Sequence, residues 1–197
     1  MRPGAICDAG WARNRNICGC ESLKGKWHRK PAGAGSELGK WLLSRGSLTS
    51  LIRSRCDDFS VREVSSRYDQ ANRDELVRLG LRRGESALVR EVYLCCGESR
   101  VVFAHSVATR SSLLGSWRAL SRLGGNSLGS TFLSKPGIVR EEMEFLAISK
   151  GHPLYRKSCR ILRRPPQKLW ARRSLFRDAR RSILVTEVFL PLILELE

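Results

Sequence analysis

From Ser36 onward, apolar residues recur along the chain with two different spacings. Leu38, Trp41 and Leu42 follow Ser36 at helical spacing; Ser36 can cap that helix and Gly46 can end it. Ser47 can cap a second helix carrying Leu48, Leu51 and Ile52, so the pattern predicts two short helices meeting at a glycine. FSVREV (Phe59 to Val64) then predicts a strand, and the polar stretch from Asn72 to Leu79 a helix. ALVREVYLCC and RVVFAHSVA are apolar runs joined by the short turn Gly97-Glu98-Ser99, a strong hairpin signal. Helical spacing returns in SSLLGSWRALSRLG through Leu113, Leu114, Trp117 and Leu120. KLWARRSLF and ILVTEVFL, linked by the polar turn RDAR, predict a last strand pair. Strands joined by hairpins with helices inserted between them predict an α+β fold around a single antiparallel β-sheet, not a parallel doubly wound one.

Two charges break this pattern. SILVTEVFLPLI (Ser182 to Ile193) reads as a strand buried on both faces, yet its period-2 alternation puts Glu187 on one face with Ile183, Val185 and Phe189. In ALVREVYL the same alternation groups Arg90 with Leu88, Val92 and Leu94, and sends Glu91 to the other face with Val89 and Tyr93. A buried charge is costly unless paired or hydrogen-bonded. Two arrangements satisfy that rule. Arg90 and Glu187 can neutralise each other across the sheet, or both can line a closed cavity in which the guanidinium grips a ligand carboxylate and the glutamate faces the ligand's other end. His105 shares a face with Val101, Phe103 and Val107 and is expected to be a hydrogen-bonded core histidine before it is an acid or base. His28 and His152 are expected to be exposed.

Composition narrows the setting. At 197 residues and 42% hydrophobic the chain can bury one full core. Residues 1–35 are basic, Gly-rich and aperiodic, and read as a disordered extension ahead of a folded domain spanning residues 36–197. No run reaches the roughly 18 apolar residues of a membrane-spanning helix, and the first residues lack a secretory h-region, so a cytoplasmic protein is expected. The seven cysteines contain no CxxC pair; a zinc site from Cys7, Cys18, Cys20 and Cys56 fits no common ligand spacing, and reduced, unligated thiols are expected.

The formal charge of +17 asks for an anionic partner. Because the excess is scattered as single arginines and short pairs, a small anionic metabolite or an anionic membrane surface serves as well as DNA. WLLSRGSLTSLIRSR has a helix-turn-helix look with Arg45, Arg53 and Arg55, but its second helix needs its apolar side for the core.

The ordered series WLLSRGSLT, LVREVYL, VVFAHSV, SWRALSRLGGNSLGSTF, the Arg140 region, LWARRSLF and LVTEVFLP resembles the bacterial chorismate pyruvate-lyases of ubiquinone biosynthesis, from about Leu38 to Pro191. The resemblance implies one antiparallel sheet with helices, helical flaps over a buried ligand cavity, and conversion of chorismate to 4-hydroxybenzoate and pyruvate without metal or cofactor. It places the family's ligand-binding arginine on Arg90, its glutamate on Glu187, and its backbone contacts to the ligand carboxylate on Leu48 and Leu128. Arg90 would hold the ring carboxylate and Glu187 the 4-hydroxyl. Whether Glu187 also removes a proton, or the hydrogen passes internally to the enolpyruvyl methylene, is left open. The helix pair and the LGGNSLG loop become the flaps; that loop lacks the lysine and spacing of a P-loop.

Thr109, Asn126 and Ser127 depart from the usual family pattern, and residues 1–35 have no counterpart in it. The expected partners are the small-molecule substrate chorismate and product 4-hydroxybenzoate, acting on a monomer, with no nucleic acid and no integral membrane segment; peripheral association stays open. A non-catalytic ligand sensor with the same kind of sheet cavity is the alternative of another class.

Overall fold

The structure, a computed structural model, describes residues 25–114, 117–129, 135–179 and 181–196. Seven strands form one sheet: β1 (Phe59–Gln70), β2 (Ser86–Cys96), β3 (Ser99–Ala108), β4 (Val139–Arg140), β5 (Glu144–Ile148), β6 (Leu169–Asp178) and β7 (Arg181–Phe189). Their order is β1-β2-β3-β7-β6-β4, with β5 also on β6, and every pairing is antiparallel. Both expected hairpins are present, β2–β3 and β6–β7. β1 is longer than FSVREV alone predicts. As an edge strand it is wet on both sides, so its second half, SSRYDQ, carries no apolar alternation, and a register shift between Glu63 and Ser65 further hides the period.

Among the described residues, four short α-helices cover the sheet: α1 (Ser36–Leu43), α2 (Leu48–Arg53), α3 (Arg73–Leu79) and α4 (Pro153–Ser158). The N-cap of α1 is Gly35, with Ser36 already helical, and its end is at Ser44 rather than Gly46. Ser47 caps α2 as expected, accepting from the Ser50 N–H. In α3 the Glu75 carboxylate accepts the Asn72 N–H at 2.7 Å, and Gly80 closes the helix with a left-handed φ of 66°. The pattern did not predict α4. Its cap is His152, whose Nδ1 accepts the Leu154 N–H, so His152 is buried instead of exposed. The stretch expected to be helical around Trp117 forms two short 3-10 turns, Ser112–Leu114 and Arg118–Arg122, that bury Trp117 and Leu120.

The sheet has two different faces. One carries Arg90, Val92 and Leu94 and lies under α1 and α2, with Trp41, Leu42, Leu48 and Ile52 in its apolar cluster. The other carries Tyr93, Phe103 and Val188, and packs on Leu154 and Tyr155 of α4.

Within the segment read as an extension, His28 forms an antiparallel bridge with Phe145 of β5. His28 and Phe145 exchange backbone hydrogen bonds, and the Trp27 indole donates to Asp74 while the Arg173 guanidinium sits over its ring at 4.2 Å. Cys7, Cys18 and Cys20 lie outside the described residues. One expectation about the thiols is overturned: Cys56 and Cys96 form a disulfide. The register of β1 on β2 sets Phe59 opposite Cys96, which brings Cys56 close although 40 residues separate the two cysteines. No helix of the described residues is long and apolar enough to cross a membrane.

Candidate active site

A cavity of about 310 Å³ lies between the first sheet face and two covering segments, Arg45–Thr49 and Ser127–Gly129. Its lining includes all four residues singled out in the sequence, Leu48, Arg90, Leu128 and Glu187. The alternation argument explains the placement of the two charges. Arg90 stands opposite Ser106, which stands opposite Val185; Glu187 stands opposite Ala104, which stands opposite Val92. The two are therefore offset by two strands across and two residues along, a Cα separation of about 12 Å from strand spacing alone.

At that separation they do not neutralise each other, and each has its own partner. Arg90, only 2% exposed, has its Nε 3.6 Å from Glu63 Oε2 on β1 and donates from Nη2 to the carbonyls of Gly124 (2.7 Å) and Asn126 (2.9 Å). Burial pushes its pKa down, and the Glu63 carboxylate offsets this only in part. Glu187 accepts from Arg172 Nε at 2.6 Å, from the residue directly opposite it on β6.

Arg172 and Arg140 also line the cavity, and neither was marked by its pattern in the sequence. In LWARRSLF the two arginines are consecutive and point to opposite faces of the strand, and the β6–β7 register sets Arg172 opposite Glu187. Arg140 donates from Nε to Ser174 Oγ at 2.9 Å and from Nη1 to the Arg45 carbonyl at 3.0 Å.

These arginines also hold the cover in place. Arg172 Nη1 donates to the carbonyls of Trp41 (3.1 Å), Leu42 (3.1 Å) and Ser44 (2.8 Å), so it supplies the C-terminal cap that α1 lacks in its own sequence. Arg140 fixes Arg45 in the same connection, and Arg90 fixes the Gly124–Asn126 turn. The covering segments meet where the Thr49 and Ser127 hydroxyls hydrogen-bond at 2.8 Å, both residues buried. A Cβ at Gly129 would stand 3.1 Å from Ser47 Oγ and 3.2 Å from Thr49 Oγ1, so a larger residue there would press on the seam. Asn126 and Ser127 thus contribute a carbonyl to Arg90 and a hydroxyl to the seam.

His105 faces away from the cavity. It lies on the other face of the sheet, buried at 2% exposure, with Nδ1 3.0 Å from Glu91 and Nε2 3.2 Å from Glu75, and Lys157 also donates to Glu91. Burial alone would lower the His105 pKa, but the Glu75 and Glu91 carboxylates outweigh it and hold it at about 9. Burial would raise Glu91; hydrogen bonds from His105 and Lys157 bring it instead to about 2.

The cavity therefore has an apolar waist of Val92, Leu94, Phe176 and Val185 between polar ends, and its arginines outnumber its single glutamate. That suits a small ligand with an apolar ring and more than one negative charge. Among the described residues no group of His, Cys, Asp and Glu is placed to hold a metal ion.

Comparison with known proteins bears on the fold and the family. Solved structures with similar folds include the PhnF C-terminal domain (TM-score 0.54, 16% identity, 75% of this chain and 91% of that one) and a GntR-family transcriptional regulator from Bacillus cereus (TM-score 0.50, 12% identity, 68% and 92%). At those identities the likeness is one of fold. The sequence relatives are nearer. Proteins named "Probable chorismate pyruvate-lyase" match from Nitrosospira multiformis, at 51% identity over 86% of this chain and 95% of theirs, and from Nitrosomonas europaea, at 48% over 85% and 94%. The family model described as chorismate lyase matches residues 33–196, a span that contains both covering segments, the arginines beneath them and Glu187, and the chain belongs to the chorismate lyase family.

Proposed function

We propose that the cavity converts chorismate to 4-hydroxybenzoate and pyruvate. The observation that carries this reading is the position of Arg90 and Glu187 at two ends of one covered, apolar-waisted cavity. Chorismate is a dianion with a carboxylate on the ring, a hydroxyl at the para carbon and an enolpyruvyl ether on the carbon beside it. Breaking the ether bond and removing the hydrogen of the hydroxyl-bearing carbon aromatises the ring, and that hydrogen ends in the methyl group of pyruvate.

Aromatisation supplies the driving force, so the protein has to bind the reactive conformer and keep water out. Arg90 offers its remaining donors to the ring carboxylate, beside the backbone of Leu48 and Leu128. Glu187, oriented by Arg172, accepts a hydrogen bond from the 4-hydroxyl, which fixes the ring's other end and places a carboxylate beside the carbon that loses hydrogen. The chemistry uses groups that the chain itself carries, and the reading includes no metal or cofactor. Closure by the Thr49–Ser127 seam dries the cavity.

The test is to mix purified protein with chorismate in the presence of a chelator and follow both products. Equal amounts of 4-hydroxybenzoate and pyruvate are expected. Saturable chorismate binding without either product would replace the lyase with a ligand sensor.

A further inference from the structure

We infer that Arg140 binds the second carboxylate of the substrate, the one on the enolpyruvyl ether, and so makes the site prefer substrate over product. The inference rests on the lyase reading and assigns a role that this reading leaves open.

Position comes first. Arg140 lies on β4, opposite Phe176 of β6, and its Nε is held by Ser174 Oγ at 2.9 Å. Ser174 is two residues from Arg172 on the same face of β6, and Arg172 is directly opposite Glu187. Arg140 is thus anchored at the Glu187 side of the cavity, whereas Arg90 hangs from β2, three strands away from β6 in the sheet. The carbon bearing the enolpyruvyl ether is bonded to the carbon whose hydroxyl Glu187 takes. With the ring carboxylate at Arg90, the ether carbon lies nearer Glu187 than Arg90, and its carboxylate reaches out from that side of the ring.

Charge is the second observation. Arg90 has Glu63 beside it, and Arg172 has Glu187. No carboxylate among the described residues is ion-paired with Arg140; its two hydrogen bonds go to neutral oxygens, of Ser174 and of the Arg45 backbone. Of the three arginines that the sheet contributes to the cavity, it is the one with no ion pair among the described residues. Burial together with the Arg172 charge pushes its pKa down, opposed by Glu187, which is the condition an incoming anion relieves.

4-Hydroxybenzoate has no second carboxylate, so the product leaves Arg140 unengaged, and the inference separates substrate from product in one experiment. Arg140→Gln should raise the chorismate KM by about thirtyfold, the scale of a lost charge-assisted contact, while changing the inhibition constant of 4-hydroxybenzoate less than threefold. Arg140→Lys should fall between. For the unmodified protein, chorismate esterified at the enolpyruvyl carboxylate should lose the same factor, and Arg140→Gln should no longer distinguish ester from acid. Retained product binding reports an intact site, and the ester probe needs no variant to fold. An unchanged KM in Arg140→Gln, or equal losses for chorismate and 4-hydroxybenzoate, would overturn the subsite while leaving the lyase reading standing. A parent protein inert toward chorismate defeats the lyase reading itself.

Discussion

Arg172 Nε donates to Glu187 Oε2 at 2.6 Å, from the position directly opposite on the neighbouring strand. The carboxylate is therefore oriented before any ligand arrives, and the guanidinium that orients it is itself pinned by the last carbonyls of α1. Orientation of Glu187 and closure of the first covering segment share one side chain.

Glu187→Gln tests whether that carboxylate works on the ligand or only balances Arg172. The amide oxygen can still accept from Arg172, which keeps its carbonyl partners, so stability should change by about 1 kcal/mol or less. Turnover should fall by about one to two orders of magnitude. Denaturant midpoint and chorismate turnover measured on the same preparation decide it. A less stable variant with an unchanged rate per folded molecule would make Glu187 a counterion alone.

Arg90→Ala removes the proposed clamp on the ring carboxylate and frees the carbonyls of Gly124 and Asn126. Binding of 4-hydroxybenzoate, measured by calorimetry, should weaken by about 2 to 3 kcal/mol. Arg90→Lys should recover only part, because an ammonium lacks the bidentate fork. Product binding as tight as in the parent would remove Arg90 from the site.

Thr49→Val deletes one side of the 2.8 Å hydroxyl contact between the covering segments while keeping side-chain volume. Loss of about 1 kcal/mol of closure should speed 4-hydroxybenzoate dissociation roughly fivefold in stopped-flow traces, with little effect on the denaturant midpoint of the sheet. Unchanged dissociation would mean that product leaves by a route other than this seam.

The His105 cluster predicts the pH dependence of stability. A folded-state pKa of about 9 against an ordinary value of 6.5 means that His105 contributes fully below pH 6.5 and loses its contribution as pH rises through 9. Glu91, lowered from 4.5 to about 2, contributes above pH 4.5 and loses its contribution as pH falls through 2. Stability should be greatest between those limits. His105→Leu should flatten the alkaline limb measured by urea unfolding between pH 6.5 and 9; a limb of unchanged slope would place the titrating group elsewhere.

The sequence by itself was enough to separate the sheet's two faces. Alternation is a property of one strand, so ALVREVYL and ILVTEVFL already put Arg90 and Glu187 among hydrophobic neighbours and His105 on an apolar face of its own strand. Ser47 as a cap was equally legible, since a cap depends on residues three apart. The edge strand β1 was read only in part, because solvent on both sides removes the apolar period on which such a reading depends.

Only the tertiary structure decided which partner each charge meets. Arg90 meets Glu63 through the β1–β2 register, Glu187 meets Arg172 through the β6–β7 register, and Cys56 reaches Cys96 because β1 folds back on β2. None of these registers is written in the strands that carry the charges. The cover is more distant still: α1 ends where it does because Arg172 takes the Trp41 carbonyl from 131 residues away. Periodicity arises between neighbours along the chain, whereas the neutralisation of a buried charge is settled by whatever the completed fold brings within hydrogen-bonding distance.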